Sequence, residues 1–559
     1  MDKKADLILR NADVLTFDGA RPNAQAIAIK DDRILAVGDN ASINALGDGA
    51  TRVRDLDGAC VIPGFNDTHA HMEREGLKEQ RLSLAGATSV NEILQRINQA
   101  AASTPPGEWI VTMPIGEPPH YFDALSTLSD KRMPTRAELD AAAPNNPVYI
   151  PALFGNWGAP PGYTALNSHG IALNRLTSHS CPRCNGVDFI CDDVSGEPTG
   201  AIVEHNPRPT AEFDLLPAVP RFGFAERRKG LLRSIALYHA HGTTSVYEGH
   251  GSAPETISVY RDLWERGELT MRTGLCVSPS WESVAEAGKA MRDWLSYARG
   301  RGLGDPWLRI SGIHIAYGGD AMVARVAREN LPDTGWAGFV EQVYTSDEFR
   351  DVCFLAAEHD LRLHTIVGND LHEIVPVLEA INQLFPLAGK RWVIEHIARA
   401  RMDDLKALKR LGVYVTTIPA YYLWKGGTPF LNESDGGDMI VSHRHMLDLD
   451  LPLAIATDNI PYDPLFTLWV TTMRKERVTG RVIGPDQCLD METALQLFTV
   501  AGAHLTFDED WKGPLKAGYA ADLTVLSENP LKIDPENIRD LSCGLTIVGG
   551  KTVHDSLAN

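Results

Sequence analysis

Residues 60–71 read Cys-Val-Ile-Pro-Gly-Phe-Asn-Asp-Thr-His-Ala-His. A short apolar run ends in a turn and then presents His69 and His71. Side chains two apart on an extended strand share a side, so two imidazoles face one way. That is a ready pair of metal ligands, since histidine suits zinc and other first-row metals. Two ligands alone do not make a site, and a solvated strand end would read the same. The rest of the chain decides between these readings. Three further strand-like runs also stop at a ligand-type residue: Arg362-Leu363-His364, Arg391-Trp392-Val393-Ile394-Glu395-His396 and Leu453-Ala454-Ile455-Ala456-Thr457-Asp458.

Each of these runs is followed by a loop and then a helical pattern. Residues 346–359 carry Phe349, Val352, Cys353 and Ala356 at helical spacing, with Ser346 as the expected N-cap and Asp347 and Glu348 in the first turn. Residues 403–411 carry Leu405, Leu408 and Leu411, with Gly412 as a stop. Alternating strands and helices point to a parallel α/β architecture. Eight strands fit the chain, at 61–69, 244–249, 271–277, 309–317, 361–366, 391–396, 412–418 and 452–458. In a (β/α)8 TIM-like barrel, functional residues at the C-terminal ends of strands converge on one mouth. His69, His71, His364, His396 and Asp458 fit that placement. The connection 72–243 is far longer than a barrel crossover and is expected to hold an inserted subdomain.

With these motifs in place, the chain resembles the metal-dependent amidohydrolase superfamily, in its long deacetylase-like and N-substituted formamide deformylase-like branch (amidohydrolase family 3). The resemblance runs nearly end to end. It rests on Pro63 to His71, Asn167-Ser168, Gly196-Glu197-Pro198-Thr199-Gly200, Ile394-Glu395-His396, Thr457-Asp458 and Gly513 to Leu523. It implies a barrel with a divalent metal at its mouth, zinc being the expected ion with one or two per chain. It also implies hydrolysis of a carbon–nitrogen bond. His69, His71, His364, His396 and Asp458 match the family's ligand positions one by one. Three departures stand out. The strand-four lysine that is often carbamylated to bridge two metals is replaced by His314. The strand-five motif is a residue longer after His364. Pro161-Gly162-Tyr163 stands where a Gly-His pair precedes Asn167-Ser168. Imidazole cannot be carbamylated. A single metal, held mainly by His69, His71 and Asp458, is therefore expected ahead of a pair bridged by water or by Glu248.

The ends of the chain read as short strands, 6–10, 26–30 and 34–38, then 521–526 and 545–548, with turn residues between them. Neither end is long enough to bury a core alone. The expected organisation is a small β-sandwich from 1–60 plus 510–559, a barrel over 61–509, and the 72–243 insertion capping the barrel mouth. Length 559 leaves room for these units. A net charge of −20 speaks against a nucleic-acid partner and offers no basic stripe for anionic lipid. No apolar run is long enough to span a bilayer, and the start carries no signal-like apolar region. A soluble cytoplasmic protein acting on a small molecule is the expectation, with homo-oligomerisation left open. The eight cysteines do not form a disulfide framework. Cys181, Cys184 and Cys191, beside His179, read as a structural zinc half-site or as a loop of reduced thiols.

A metal at this mouth would activate water for attack on a carbonyl or amidine-like carbon. Asp458 is the expected base, taking the proton of water and handing it to the leaving nitrogen. Alone, Asp458 would read as a turn residue or helix N-cap. Glu248 and His250 follow strand two and are candidates for metal or substrate contact, as is His314. Tyr421, Tyr422, Trp424 and Lys425, just after strand seven, are candidates for a pocket wall over an apolar substrate, or for the core of a lid. Besides an amide or formamide hydrolase, two readings stay open: a heterocyclic amine deaminase on the same constellation, and a catalytically inactive relative.

Overall fold

Gly64 divides the opening motif between two sheets. An added Cβ there would lie 2.2 Å from Cγ2 of Thr244, so only glycine lets the two segments pass this closely. Before it, Cys60–Pro63 pairs antiparallel with Leu523–Leu526 and parallel with Asp13–Leu15. After it, Phe65–Ala70 (β1) starts a parallel barrel. The single strand expected over 61–69 is thus two strands in two sheets. This computed structural model describes residues 4–121, 124–152, 160–206, 210–336 and 344–557.

The barrel continues through Thr243–Ser252 (β2), Arg272–Val277 (β3), Leu308–His314 (β4), Leu363–Gly368 (β5), Val393–Ile397 (β6), Tyr414–Thr417 (β7) and Leu453–Ile455 (β8). Each strand pairs parallel with the next. The register from β1 round to β8 matches the (β/α)8 reading, with strand ends shifted by a few residues. The helix after Thr345 is capped by Thr345 and not Ser346. The Thr345 side chain accepts from the N–H of Glu348, and the Glu348 carboxylate accepts from Thr345 in return. Gly412 closes the helix Met402–Leu411 in the left-handed region at φ 68°.

The seam between β8 and β1 is closed by polar atoms just past the end of β8. The N–H of Asp458 donates to the carbonyl of His69 at 3.0 Å. Asp67, fully buried on β1, accepts from the Thr457 N–H at 3.1 Å and from its hydroxyl. The barrel floor is closed differently. Arg309, Arg362 and Arg391, at the starts of three successive strands or just before them, donate to the carbonyls of Thr506, Leu505 and His504. These carbonyls lie at the C-terminal end of the helix Val500–Leu505. They have no partner within the helix and carry its negative dipole end, which suits guanidinium donors. Leu505 itself packs inside the barrel with Tyr247, Cys276 and Val393.

The two chain ends form two sheets. One orders Arg33–Gly38, Ala26–Lys30, Leu7–Arg10 and Arg52–Asp55. The other orders Lys551–Asp555, Cys543–Val548, Leu523–Leu526, Cys60–Pro63, Asp13–Leu15 and Asn23–Ala24. Leu7, Leu9, Ile27, Val61, Leu523, Val525 and Ile547 fill the space between them. The long segment after β1 carries a five-stranded sheet of its own, ordered Val187–Cys191, Pro198–Glu204, Gly162–Leu166, Val148–Ile150 and Ile110–Val111. Helices Val90–Ala101 and Arg136–Ala142 cover it through Ile93, Ile97 and Leu139. Its loop 118–121 reaches the mouth side of the barrel. There the His120 ring meets Trp424, in the segment after β7, with centroids 4.8 Å apart.

Asp67→Ala removes both acceptors from the β8–β1 seam and strands the buried Thr457 donors. Two lost buried bonds should lower unfolding free energy by about 2–4 kcal/mol. Urea unfolding of the variant checks this, and an unchanged midpoint would show that the seam is closed by packing alone.

Candidate metal centre

The site is built from strand ends and one unusual piece of backbone. On a regular strand, Glu395 and His396 would point to opposite sides. His396 instead takes φ 57°, in the left-handed region, and Asp458 and Asn459 take 54° and 58°. Non-glycine residues there cost about 1–3 kcal/mol each and persist where the surrounding structure imposes them. Here His396 and Asp458 are both turned toward the mouth, while Glu395 stays within the barrel beneath them.

Four buried side chains meet there: His69, His250, His396 and Asp458 each offer a donor atom, all within 4.8 Å of one another. Nε2 of His69 and Nε2 of His396 are 3.0 Å apart. Asp458 brings Oδ1 to 3.6 Å from Nε2 of His69 and to 3.0 Å from Nε2 of His71, and Oδ2 to 3.8 Å from Nε2 of His396. A tetrahedral ion with bonds near 2.1 Å has ligand–ligand edges of about 3.4 Å, so these separations fit one shared cation. The tautomers agree. Nδ1 of His69 faces Glu395 at 3.4 Å, and Nδ1 of His396 faces the Tyr422 hydroxyl at 3.2 Å. With protons on the Nδ1 atoms, two Nε2 lone pairs confront each other at 3.0 Å, an arrangement a cation between them resolves.

Protonation states agree too. Burial pushes His69 down to about 3 and His396 to about 4, and pushes His250 well below the ordinary imidazole value. The rings are therefore neutral at pH 7, as metal ligands must be. Burial drives the Asp458 carboxyl upward, but His396, His71 and His69 around it outweigh that and hold it below the usual carboxylate range.

The remaining sequence candidates fall in distinct places. His71 touches Asp458 but belongs to a second buried group with Glu73 and Glu248. Glu248 lies within β2, not beyond it, and accepts from the Tyr260 hydroxyl. His364 is not part of the four-residue group. It is the second residue of β5, so it lies deeper in the barrel. Its Nδ1 is 2.7 Å from Glu395, and its ring stacks on Tyr247 with centroids 4.6 Å apart. His314 ends β4 and faces the His250 ring at 5.7 Å. Among the described residues, it and His364 join no group of three metal donors. The same is true of His179, Cys181, Cys184 and Cys191. Cys181 is exposed, Cys184 buried and Cys191 half-buried, all as free thiols.

Tyr421, Tyr422, Trp424 and Lys425 occupy a π-helical turn, Ala420–Lys425. Both tyrosine rings lie within 6 Å of the His396 ring, at 5.9 and 5.8 Å. Trp424 packs edge-on against Phe466 at 4.9 Å. Lys425 sits 4.7 Å above the Tyr421 ring, and burial lowers it to about 7, with Asp458 opposing. Beside the site lies a cavity of about 660 Å³, lined by Glu75, Lys78, His120, Tyr121 and Tyr462 among others. Glu75 connects it to the site by accepting from Asn459, the neighbour of Asp458. Sequence reasoning assigned no role to Glu73, Glu395 or His120. Glu395 stands inside the quoted Ile-Glu-His motif, and Glu73 stands two residues after His71, so proximity to the ligand motifs was the available signal.

The amidohydrolase family model matches residues 52–554. The chain belongs to the amidohydrolase family. It is a hydrolase of carbon–nitrogen bonds other than peptide bonds, dependent on a divalent metal. It is 25% identical to the N-substituted formamide deformylase of Arthrobacter pascens, over 98% of both chains. It is 23% identical to the putative amidohydrolase YtcJ of Bacillus subtilis, over 95% of this chain and 96% of that one. An uncharacterised metal-dependent hydrolase from Pyrococcus horikoshii shares the fold with a TM-score of 0.67 at 21% identity, covering 95% of this chain and 99% of that one. No helix among the described residues is long and apolar enough to cross a membrane.

Buried neutral histidines make the metal-free protein acid-sensitive. His69, His120 and His443 are held at about 3, and His239, His364 and His396 at about 4, each chiefly by burial. An unfolded chain protonates them near pH 6.5, so it binds more protons than the folded chain below that pH, and stability falls with acidification. Asp67, raised to about 6 by burial, works in the opposite direction, as do Glu75, Glu204, Glu248 and Asp463, which burial also raises, against the six imidazoles named and His250. Thermal melting of the metal-free protein should show stability intact above pH 6.5 and falling steadily toward pH 4. A flat profile over that range would contradict the buried neutral assignment.

Proposed function

We propose that this protein is a zinc hydrolase that cleaves the acyl carbon–nitrogen bond of a small N-substituted amide, a formamide first, releasing a carboxylic acid and an amine. The observation that carries this reading is the buried convergence of His69, His250, His396 and Asp458, with two histidine Nε2 atoms 3.0 Å apart. Three imidazoles and one carboxylate are a donor set suited to zinc. The deformylase relative, alike over nearly its whole length, supports the substrate class.

A bound ion would supply Lewis-acid polarisation of the substrate oxygen and lower the pKa of water. The chain's own groups do the rest. Asp458, ionised at neutral pH, takes the proton of the attacking water and delivers it to the leaving nitrogen, so the amine departs neutral. Tyr421 and Tyr422 present their rings beside His396, and Trp424, His120 and Phe466 pack on one another next to them. They suit an apolar substituent on nitrogen and keep bulk water from the reacting centre. The adjoining cavity is of a size that holds a small ligand.

The test is a panel of N-alkyl and N-benzyl formamides, acetamides and amino-heterocycles, with formate, acetate and ammonia assayed separately. Formate with stoichiometric amine is the expected product. Ammonia from heterocycles without acid would overturn the reading in favour of deamination. In the same assay, Asp458→Asn should keep the fold and lower kcat on the order of 100- to 10,000-fold. Near-normal turnover would remove Asp458 from the base role.

A further inference from the structure

Both histidines of the His-x-His motif have a buried carboxylate at the ring nitrogen that points away from the centre. Nδ1 of His69 faces Glu395 Oε2 at 3.4 Å, and Nδ1 of His71 faces Glu73 Oε1 at 3.6 Å. Their Nε2 atoms both approach Asp458 Oδ1, at 3.6 and 3.0 Å. His71 therefore lies between two carboxylates. A neutral imidazole has one N–H and can satisfy one of them. If that proton is on Nδ1, toward Glu73, the Nε2 lone pair is left facing Asp458, which is stable when a cation shares that space. The same holds for His69 with Glu395 and His396.

The two carboxylates are themselves held in place. Glu395 is fully buried, and its other oxygen is 2.7 Å from Nδ1 of His364. One carboxylate thus faces two imidazoles, hydrogen-bonded to His364 and 3.4 Å from His69. Glu73 is bonded by Nε of Arg74 at 3.1 Å. It adjoins Glu248, which accepts from Tyr260. Arg74 supplies a countercharge beside this pair of acids.

We propose that Glu73 and Glu395 are positioning residues for the metal centre: Glu395 accepts the Nδ1 proton of His69 and aims its Nε2 at the ion, and Glu73 accepts the Nδ1 proton of His71 and holds that ring against the ligating Asp458. The inference rests on the metal-hydrolase reading above. Such partners raise ligand basicity and fix ring orientation, and losing one weakens metal affinity by about 10- to 100-fold.

The full-length protein, Glu73→Gln and Glu395→Gln are compared by zinc competition against a chelator and by proton NMR of the cobalt(II)-loaded forms. In the wild type, hyperfine-shifted resonances that exchange with solvent should report Nδ1 protons on the ligating rings and on His71, which touches the ligating Asp458. Each variant should bind zinc about 10- to 100-fold more weakly, and each should displace a different one of those resonances. A merely structural role would lower the melting temperature and leave the resonances in place, and zinc affinity equal to wild type in both variants would overturn the proposal. If a variant does not fold, the wild type alone decides, because ligating rings that bind through Nδ1 and lack an exchangeable Nδ1 proton contradict the proposal. Wild-type protein that takes up neither zinc nor cobalt would instead overturn the metal-hydrolase reading on which it rests.

Discussion

The contact between strands β8 and β1 organises the protein. The Asp458 N–H donates to the His69 carbonyl at 3.0 Å, so the bond that closes the barrel also sets the Asp458 carboxylate beside the rings of His69 and His71. Asp67 reinforces that seam from below through Thr457. Because His69 is held by its backbone, its ring is a fixed point. His396 and Asp458 are then brought to it by left-handed backbone that neither residue would adopt unaided. Closure of the fold and assembly of the site are the same event.

Burial does the electrostatic work. Water is excluded from a site containing several imidazoles and carboxylates, so the imidazoles His69 and His396 stay neutral and keep their lone pairs. A group of neutral rings around one carboxylate, with lone pairs directed at each other, is under strain as a hydrogen-bonding network. It is well arranged as a ligand set. The aromatic turn Ala420–Lys425 and the loop 118–121 from the long insertion meet beside it, where the His120 ring packs on Trp424.

Much of this was legible in the sequence, because apolar strand runs that stop at His or Asp carry both the period-two signal and the chemistry. His69, His71, His364, His396 and Asp458 read that way as metal ligands, with His250 as a possible contact, and the structure brings His69, His250, His396 and Asp458 into one buried group. The barrel order and the sheets built from both termini followed from strand and turn patterns. His364 stands outside that four-residue group, because sequence gives the strand but not the depth along the barrel axis. One or two residues separate a mouth position from an interior one. Glu395 was passed over for a related reason. Strand alternation would send it away from His396, and the positive φ at His396 that breaks this alternation leaves no mark in the residue identity. Glu73 was hidden by its place in a four-residue helix, Met72–Glu75, that reads as a polar loop. The split at Gly64 depends on a contact with Thr244, 180 positions away in the chain, which local patterning cannot show.

The central claim is that one divalent ion is held where His69, His396 and Asp458 meet. An anomalous-difference map from crystals of the zinc-loaded protein tests it most directly. The account predicts one strong peak per chain at the mouth, bounded by those three residues, with Glu395 and His364 behind it. A peak coordinated by His364, two peaks of equal strength, or no peak at the mouth would contradict it.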